Sequence, residues 1–276
     1  MEIKAADVMK LRKMTGAGMM DCKKALQEAE GDFERAKDII REKGKLVVSK
    51  RADRSASEGV VVTKIVGQKA YLLCLACETD FVAQNSEFSA SANAILDIAV
   101  ANDAADVEAL KAIKNAEGIT VEEMVTEKSG QTGEKVEIAY YARIEAPYCV
   151  AYVHFNKKLG TLLGFNKEVS EEIARQIAMQ ATAMAPLSID VEDCPAEIVE
   201  KERAIALEQM KQDPKNANKP DAILEKIAEG KMRKFFEENT LLNQAVVGEK
   251  ESIREFLQRA DKEATVVAYK RFALEA

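Results

Sequence analysis

Two β-rich segments on either side of a short glycine turn constrain the fold of this 276-residue chain more than any other feature. The segments are residues 59–66 and 69–77, and the turn between them is Gly67-Gln68. Glycine adopts the backbone angles of a two-residue turn at little steric cost, so this pattern predicts an antiparallel β-hairpin. Apolar residues from Phe88 to Ala99 then recur with helical spacing and predict an amphipathic helix.

The sequence after this hairpin alternates between strand-like and helical patterns. An apolar stripe from Ile173 to Met184 predicts another amphipathic helix. The other predicted strands are 136–144, 148–155, 160–165 and 265–272, and the other predicted short helices lie near 106–115 and 120–128. This order of elements predicts an α+β fold with two small layers of sheet and helix.

Residues 1–54 predict a compact unit of three helices. An early helix ends at the turn Thr15-Gly-Ala-Gly18, and apolar stripes then run from Cys22 to Ala29 and from Phe33 to Ile40. The segment 49–57 is polar and aperiodic, which predicts a solvated linker, although its basic run is also compatible with phosphate binding.

A second helical unit is predicted at residues 196–238. Two charged, weakly amphipathic helices flank the segment 213–220, whose prolines and asparagines favour a turn. The apolar stripe of the second helix, from Leu224 to Phe235, is narrow. This pattern predicts an antiparallel helical hairpin that projects from the core.

Composition narrows the class of function. The 47 acidic and 40 basic side chains give a net charge of −7 with histidine neutral, which disfavours non-specific binding to nucleic acid or to membranes. The single histidine, His154, argues against hydrolase triads and multi-histidine metal sites, and it is more typical of a packed or edge-facing strand residue. No phosphate-binding glycine motif is present. We therefore predict no enzyme activity, no cofactor and no metal site.

The location of the protein is predicted from two further features. The N-terminal sequence has neither a secretory nor a transit pattern. The sequence also contains no apolar stretch of the length that a membrane-spanning helix needs. These features predict a cytoplasmic protein with no membrane partner.

Cys74 and Cys77 form a C-x-x-C motif within the second segment of the hairpin. Residues three apart on a strand face opposite sides of the sheet, whereas a redox pair needs its first cysteine at a helix N-terminus. We therefore predict two small, buried side chains, with a thiol-redox enzyme as the alternative. No second motif of this kind is present to complete a zinc site.

The segment from Glu78 to Asn85 connects a predicted strand to a predicted helix, and we expect it to be exposed. Phe81 and Val82, beside Asp80, are candidates for insertion into a partner protein. Alternatively, Phe81 begins the helix and packs beneath it as a hydrophobic staple. The sequence by itself leaves both interpretations open.

Met19 and Met20 directly follow the first glycine turn. Methionine side chains adapt to many surfaces, so this pair suits the recognition of a partner. It equally suits the core of a small helical unit, and this alternative also stays open.

Four stretches of the chain resemble the bacterial-type translation elongation factor Ts family. Residues 15–26, together with Arg12, resemble its N-terminal signature, and residues 78–83 resemble its second signature. Residues 177–179 and 226–231 resemble later family segments, and the resemblance covers essentially the whole chain.

The resemblance implies a particular organisation of the chain. It implies a ubiquitin-associated-like helical domain over residues 1–54 and a core of two related α+β subdomains over 55–140 and 141–276. The antiparallel helical hairpin at about 190–236 is then an insertion in the second subdomain.

The resemblance also implies a function, which is guanine-nucleotide exchange on elongation factor Tu, the GTPase that carries aminoacyl-tRNA. In the family, a loop phenylalanine wedges between side chains of the GDP-bound GTPase and shifts a helix there, which loosens the magnesium site and promotes GDP release. The residues that match this loop are Thr79, Asp80, Phe81 and Val82. The residues that match the docking surface of the N-terminal domain are Arg12, Met19 and Met20.

The implied partner is therefore elongation factor Tu, with no direct contact to nucleic acid. A homodimer through the helical hairpin is left open by the resemblance. The alternative function is a protein-binding module that uses the three-helix unit of residues 1–54 and does not promote exchange.

This sequence departs from the family pattern in two places. Gln176 and Gln180 stand where the family often places histidines, which puts polar contacts to the GTPase in doubt there. Some members also continue past the final strand with an extra helical module, whereas this sequence stops at Ala276. We therefore expect contacts from that module to be absent and binding to rely more on the N-terminal unit and the Phe81 segment.

Overall fold

The computed structural model describes residues 3–212 and 219–274. The helices within these residues are α1 (Ala5–Thr15), α2 (Met19–Glu28), α3 (Phe33–Lys50), α4 (Asp80–Ala83), α5 (Ser86–Ala101), α6 (Val107–Ala112), α7 (Val121–Thr132), α8 (Glu171–Met184), α9 (Ala196–Gln212), α10 (Asp221–Asn239) and α11 (Ile253–Ala260). The strands are β1 (Glu58–Val66), β2 (Lys69–Cys77), β3 (Glu137–Glu145), β4 (Tyr148–Val153), β5 (Leu159–Phe165) and β6 (Val266–Ala273). In this described part of the chain, no helix has both the length and the apolar character that crossing a bilayer requires.

The strands form two antiparallel sheets, ordered β1-β2-β3 and β4-β5-β6. The predicted hairpin is confirmed, because Glu58 lies opposite Cys77 and Val66 lies opposite Lys69. Gly67 makes the turn with a φ of +59°, a conformation that glycine adopts without strain. The predicted closing strand is also present as β6, which pairs with β5. The mixed α+β class predicted from the sequence is therefore confirmed.

The two sheets pack face to face between two layers of helices. Strand β2 is apolar on both faces, since Leu72 and Cys74 contact the second sheet whereas Leu73 and Leu75 contact α5. Helices α5 and α7 cover the outer face of the first sheet, and α8 and α11 cover the outer face of the second. The resulting order of layers is helix, sheet, sheet, helix.

A glycine in β5 permits the close approach of the two sheets. A Cβ atom on Gly164 would lie 2.5 Å from the Cβ of Ala146 and 3.0 Å from the Cβ of Ala268. Nearby, the rings of Tyr140 and Phe272 stack with their centroids 4.7 Å apart. The core between the sheets is therefore thin at Gly164 and has no room for a side chain there.

Helices α1, α2 and α3 enclose a small core of their own, in agreement with the predicted three-helix unit. Its buried side chains include Val8, Leu11, Cys22, Leu26 and Ile40. This core is separate from the two clusters that the sheets bury. The three helices therefore have their own apolar interior in addition to their contacts with the rest of the chain.

Helix α3 crosses α7 where two glycines meet. A Cβ on Gly44 would lie 2.9 Å from the carbonyl oxygen of Thr126, and a Cβ on Gly130 would lie 2.8 Å from the Cα of Gly44. Beside this crossing, the Arg41 Nε donates to Glu127 Oε1 at 2.7 Å. The backbones of α3 and α7 are in direct contact because neither glycine carries a side chain.

The prediction of a solvated linker over residues 49–57 is wrong for the first part of that segment. Helix α3 continues to Lys50, and Arg51 directly after it pairs with Glu78 at the end of β2. The Lys135 Nζ also donates to two backbone carbonyls of the segment, at 3.2 and 3.3 Å. These contacts fix the first part of the segment against the core, although its polar composition predicts that it is solvated.

The predicted helical hairpin corresponds to α9 and α10, and its predicted limits of 196 and 238 agree with the structure to within one residue. The first helix begins at Ala196, where Pro195 precedes it and accepts the N–H of Ile198 at 3.0 Å, which starts the first turn. The second helix ends at Asn239, so the pair begins and ends later than the span of about 190–236 that the resemblance implies.

Helices α9 and α10 contact each other through a small apolar cluster and a hydrogen bond from Lys231 Nζ to Gln209 Oε1 at 3.3 Å. Met210 of α9 packs against Leu224 and Ala228 of α10, in a cluster separate from the main core. The predicted tip falls mostly on residues 213–218, which lie outside the described residues. The narrow apolar stripe of the sequence therefore corresponds to this small cluster.

Candidate functional site

The second signature segment lies at the end of β2 and continues directly into α4. Thr79 caps this helix, and its Oγ1 accepts the N–H of Val82 at 3.5 Å. Helix α4 has only the four residues Asp80–Ala83, which is one helical turn. The connection is therefore a helical turn rather than an irregular loop, although Asp80 and Phe81 are exposed as predicted.

Phe81 and Val82 lie on different sides of this turn. The Phe81 side chain is 84% exposed, whereas Val82 is partly buried against the core between the first sheet and α5. The staple interpretation of Phe81 is therefore wrong, because Val82 and Ala83 make the apolar contacts instead. An aromatic side chain that its own protein leaves in solvent gains most when a partner buries it.

A single carboxylate, Glu134, binds the base of the α4 turn. Its Oε2 accepts the backbone N–H of Glu78 at 3.1 Å and that of Thr79 at 3.0 Å. Its Oε1 accepts the Thr79 hydroxyl at 2.6 Å. Three donors from two consecutive residues therefore converge on one side chain from the end of α7.

An ion pair joins the same position to the end of α3. The Nη1 of Arg51 donates to both oxygens of Glu78, at 2.8 and 2.7 Å, and the N–H of Lys135 donates to Glu78 Oε1 at 2.6 Å. Burial by itself would raise the pKa of the Glu78 carboxyl, but the Lys135 N–H and the Arg51 guanidinium lower that pKa below its ordinary 4.5 overall. Glu78 is therefore held as a carboxylate that connects α3 to the Phe81 turn.

The lowered pKa of Glu78 predicts a loss of stability in acid. A carboxyl whose pKa is lower in the folded state stabilises the fold above its unfolded pKa, and this contribution disappears as the pH falls through the folded value. We expect Glu78→Gln to lower the thermal midpoint at neutral pH and to flatten its decline below about pH 4.5.

Thermal unfolding between neutral and acid pH measures this effect. The matched control is Glu108→Gln, which removes an exposed ion pair to Lys111 within α6 that contributes little to stability. The control should follow the wild-type curve. A Glu78→Gln curve that runs parallel to wild type at all pH values would contradict the assignment of this titration to Glu78.

The residues of the first signature lie at the junction of α1 and α2. Met19 and Met20 are the first residues of α2, directly after Gly18, and their side chains are 44% and 64% exposed. The interpretation of this pair as core is therefore wrong, because other side chains fill the interior of α1–α3. Arg12 is also exposed, in the last turn of α1, where Gly16 then ends the helix with a φ of +65°.

The structure places the two signatures in different parts of the fold. Helix α2, with Met19 and Met20, packs against α1 and α3, whereas α4, with Phe81, packs against β1, β2 and α5. Met9 and Met14 are also exposed on α1, where no sequence motif distinguishes them. No local motif marks Arg51 or Glu134 either.

The two cysteines of the C-x-x-C motif are buried on opposite faces of β2, as predicted. Cys77 belongs to the core beneath α5, and Cys74 belongs to the core between the sheets. Burial raises the pKa of each thiol to about 12, and Glu134 adds to the rise at Cys77. A thiol in this state is not a nucleophile near neutral pH, so the structure argues against the redox alternative.

The side-chain amide of Gln180, on α8, binds within the fold. Gln180 is buried, where its Nε2 donates to the carbonyl of Ala245 at 2.9 Å and its Oε1 accepts the N–H of Val247 at 3.0 Å. This amide therefore fixes the segment before α11. His154 lies just past β4, where its ring is 4.5 Å from that of Phe155, which agrees with a strand-edge position.

The described residues contain no group of three or more histidine, cysteine, aspartate or glutamate side chains placed to hold a metal ion. At the signature segments, the structure exposes apolar side chains, and hydrogen bonds hold the backbone beneath Phe81 in place. Such an arrangement is suited to contact with another protein.

Comparison with known proteins identifies the family. The family model described as Elongation factor TS matches residues 78–276, which is most of the chain and begins at the carboxylate before Thr79. The chain belongs to the elongation factor Ts family. Members of this family are translation elongation factors, and the family model covers both sheets except β1 and β2.

Full-length relatives extend the family match to α1–α3. The elongation factor Ts of Christiangramia forsetii is 43% identical over 99% of both chains. That of Porphyromonas gingivalis is 42% identical and that of Bacteroides thetaiotaomicron is 39% identical, each over the full length of both chains. The first signature therefore lies within a region that these elongation factors share.

Proposed function

We propose that this protein is a guanine-nucleotide exchange factor that binds GDP-bound elongation factor Tu and promotes the release of GDP. The observation that carries the proposal is the exposure of Phe81 on a turn that is fixed at its base, in a member of the elongation factor Ts family. A side chain presented in this way is suited to displacing groups in a partner, because it arrives already ordered.

In the proposed mechanism, α4 enters the nucleotide-binding domain of elongation factor Tu. Phe81 inserts between side chains of the GTPase and displaces a helix there, and Asp80 accompanies it, while Thr79 and Val82 keep the turn in place from behind. The displacement disturbs the magnesium and phosphate site of the GTPase, where the magnesium ion bridges phosphate oxygens and protein ligands. GDP then dissociates faster because its phosphates lose contacts.

The N-terminal unit supplies a second contact in this proposal. Arg12, Met19 and Met20 dock on the nucleotide-binding domain of elongation factor Tu and raise the local concentration of the Phe81 turn. Exposed methionines suit this purpose because they adapt to the surface that they meet. The N-terminal unit is proposed to be the ubiquitin-associated-like domain of the family.

The family layout and setting complete the proposal. The core is proposed to consist of two subdomains, 55–140 and 141–276, with the α9–α10 pair inserted in the second.

The protein acts in translation in the cytoplasm as a partner of elongation factor Tu, without catalysing a chemical reaction and without contacting nucleic acid directly. A homodimer through α9 and α10 is a separate hypothesis that sedimentation analysis can test.

The acceleration of GDP release can be expressed as a free energy. Each tenfold increase in GDP release attributed to weakened binding requires about 1.4 kcal/mol. One buried aromatic anchor contributes about 2 kcal/mol or more at an interface. Insertion of Phe81 alone therefore accounts for roughly a tenfold effect or more, and the N-terminal contact adds affinity.

The test of this function is the release of fluorescent GDP from elongation factor Tu. The full chain, added in substoichiometric amounts with excess unlabelled GDP, should accelerate the release of all the label, since an exchange factor acts repeatedly. The alternative, a binding module without exchange activity, predicts a complex of the two proteins but an unchanged rate of release.

A further inference from the structure

Glu134 occupies a fixed place at the end of α7. Gly133 ends the helix in the left-handed conformation, with φ of +72°, and the N–H of Glu134 then donates to Thr132 Oγ1 at 3.2 Å. Two residues further on, the N–H of Val136 donates at 3.0 Å to the hydroxyl of Ser129, which is fully buried. The backbone on both sides of Glu134 is therefore bound to α7.

Helix α7 is itself held against α3. The Gly44–Gly130 contact brings the two backbones together, and Arg41 pairs with Glu127 beside it. A carboxylate that follows such a helix has little freedom to move relative to the core. Glu134 is therefore a rigid acceptor rather than a mobile surface side chain.

The α4 turn lacks any comparable support of its own. A helix of four residues is too short to be stable by itself, so its orientation depends on its flanking contacts. Phe81 is 84% exposed, so packing does not fix its direction. Besides the packing of Val82 and Ala83 and the contacts of the Glu78 carboxylate, the fixed point is Thr79, whose N–H and hydroxyl both donate to Glu134.

We infer that Glu134 is a positioning residue for nucleotide exchange, which sets the direction of Phe81 by fixing the backbone at Glu78 and Thr79. This inference rests on the proposed function. Glu134 does not touch the GTPase in this account. Its three hydrogen bonds reduce the number of orientations of α4, so that Phe81 is ordered before it meets the partner.

Three variants of the full chain test the inference through the release of fluorescent GDP. Glu134→Ala removes all three acceptor contacts and should slow release at saturating chain by about tenfold. Glu134→Gln should stay within about threefold of wild type, because an amide oxygen accepts both N–H groups and the amide nitrogen donates to the Thr79 hydroxyl.

The matched control is Glu123→Ala, at the other end of the same helix. The Glu123 carboxylate accepts the N–H and the hydroxyl of Thr120, at 2.9 and 3.1 Å, so its removal also deletes a two-donor contact of α7. This variant should release GDP at the wild-type rate. A control as slow as Glu134→Ala would overturn the inference, because general loosening of α7 would then explain both.

A double-mutant cycle distinguishes positioning from a structural role. If Glu134 acts through Phe81, the double variant Glu134→Ala with Phe81→Ala should be no slower than Phe81→Ala alone. Multiplication of the two single effects would overturn the inference, as would a wild-type rate for Glu134→Ala. A wild-type chain that does not accelerate release overturns the proposed function instead, and the inference with it.

Hydrogen exchange provides a readout that does not depend on activity. The amides of Glu78 and Thr79 should be protected in the wild-type chain and should exchange faster in Glu134→Ala, with the amides of β1 unchanged. Unprotected Glu78 and Thr79 amides in the wild-type chain would overturn the inference even if Glu134→Ala does not fold.

Discussion

Phe81→Ala should slow the chain-stimulated release of GDP from elongation factor Tu by about tenfold or more, because it removes an aromatic anchor worth about 2 kcal/mol at an interface. The same substitution should leave the stability of the chain within about 0.5 kcal/mol of wild type, since the side chain is almost fully exposed. Fluorescent-GDP release and thermal unfolding of the same preparation measure the two quantities.

The chain offers a matched control for this prediction. Phe155, in the connection between β4 and β5, is 86% exposed, so Phe155→Ala removes the same side chain from another exposed place. This variant should stimulate release at the wild-type rate. Equal rates for Phe81→Ala and wild type would contradict the role of Phe81, and equal losses in both variants would indicate a non-specific effect of exposed aromatics.

Gly164→Ala and Gly230→Ala should change stability in opposite directions, although each adds one methyl group. At Gly164 the new Cβ lies 2.5 Å from the Cβ of Ala146, a backbone-fixed atom that cannot move aside. Overpacking of this kind costs about 1–3 kcal/mol. At Gly230, within α10, nothing lies within 4 Å of a new Cβ, so alanine should stabilise the helix by about 0.5–1 kcal/mol.

Urea denaturation followed by circular dichroism measures both changes. The midpoint of Gly164→Ala should move to lower urea and that of Gly230→Ala to slightly higher urea, with the m-value unchanged in each. A Gly164→Ala variant as stable as wild type would contradict the close packing of the two sheets at that strand.

The local elements were predictable because their signals are local. The β1–β2 hairpin follows from two β-rich apolar runs and the glycine turn between them, all of which lie within residues 59–77. Helix α5 follows from its apolar stripe in the same way. The limits of the helical hairpin were also predictable to within one residue, because Pro195 directly precedes its first helix.

The support of the candidate site was not predictable from local signals. Glu134 meets Thr79 across 55 positions of the chain, and Arg51 meets Glu78 across 27, so no periodic pattern connects the partners. Glutamate and arginine in polar stretches are ordinary surface residues in a sequence. Only the packing of α7 and α3 against the core gives these two side chains their partners.

Exposure of Phe81 illustrates the limit of local patterns. A phenylalanine next to a valine at the start of a helix fits either a staple or a projecting side chain, and both choices satisfy the same local spacing. The fold decides between them because Val82 and Ala83 already fill the apolar space beneath α4. The same reasoning holds for Met19 and Met20, which the small core of α1–α3 leaves outside.

In the proposed function, binding of this chain to elongation factor Tu weakens the binding of GDP, and binding of GDP weakens the binding of this chain. The most direct test is the affinity of the full chain for nucleotide-free and for GDP-bound elongation factor Tu, measured by isothermal titration calorimetry, beside the affinity of elongation factor Tu for GDP with and without the chain. Thermodynamic linkage requires the two ratios to be equal, and we expect both to be well above one. The same affinity of the chain for the nucleotide-free and the GDP-bound forms would contradict it.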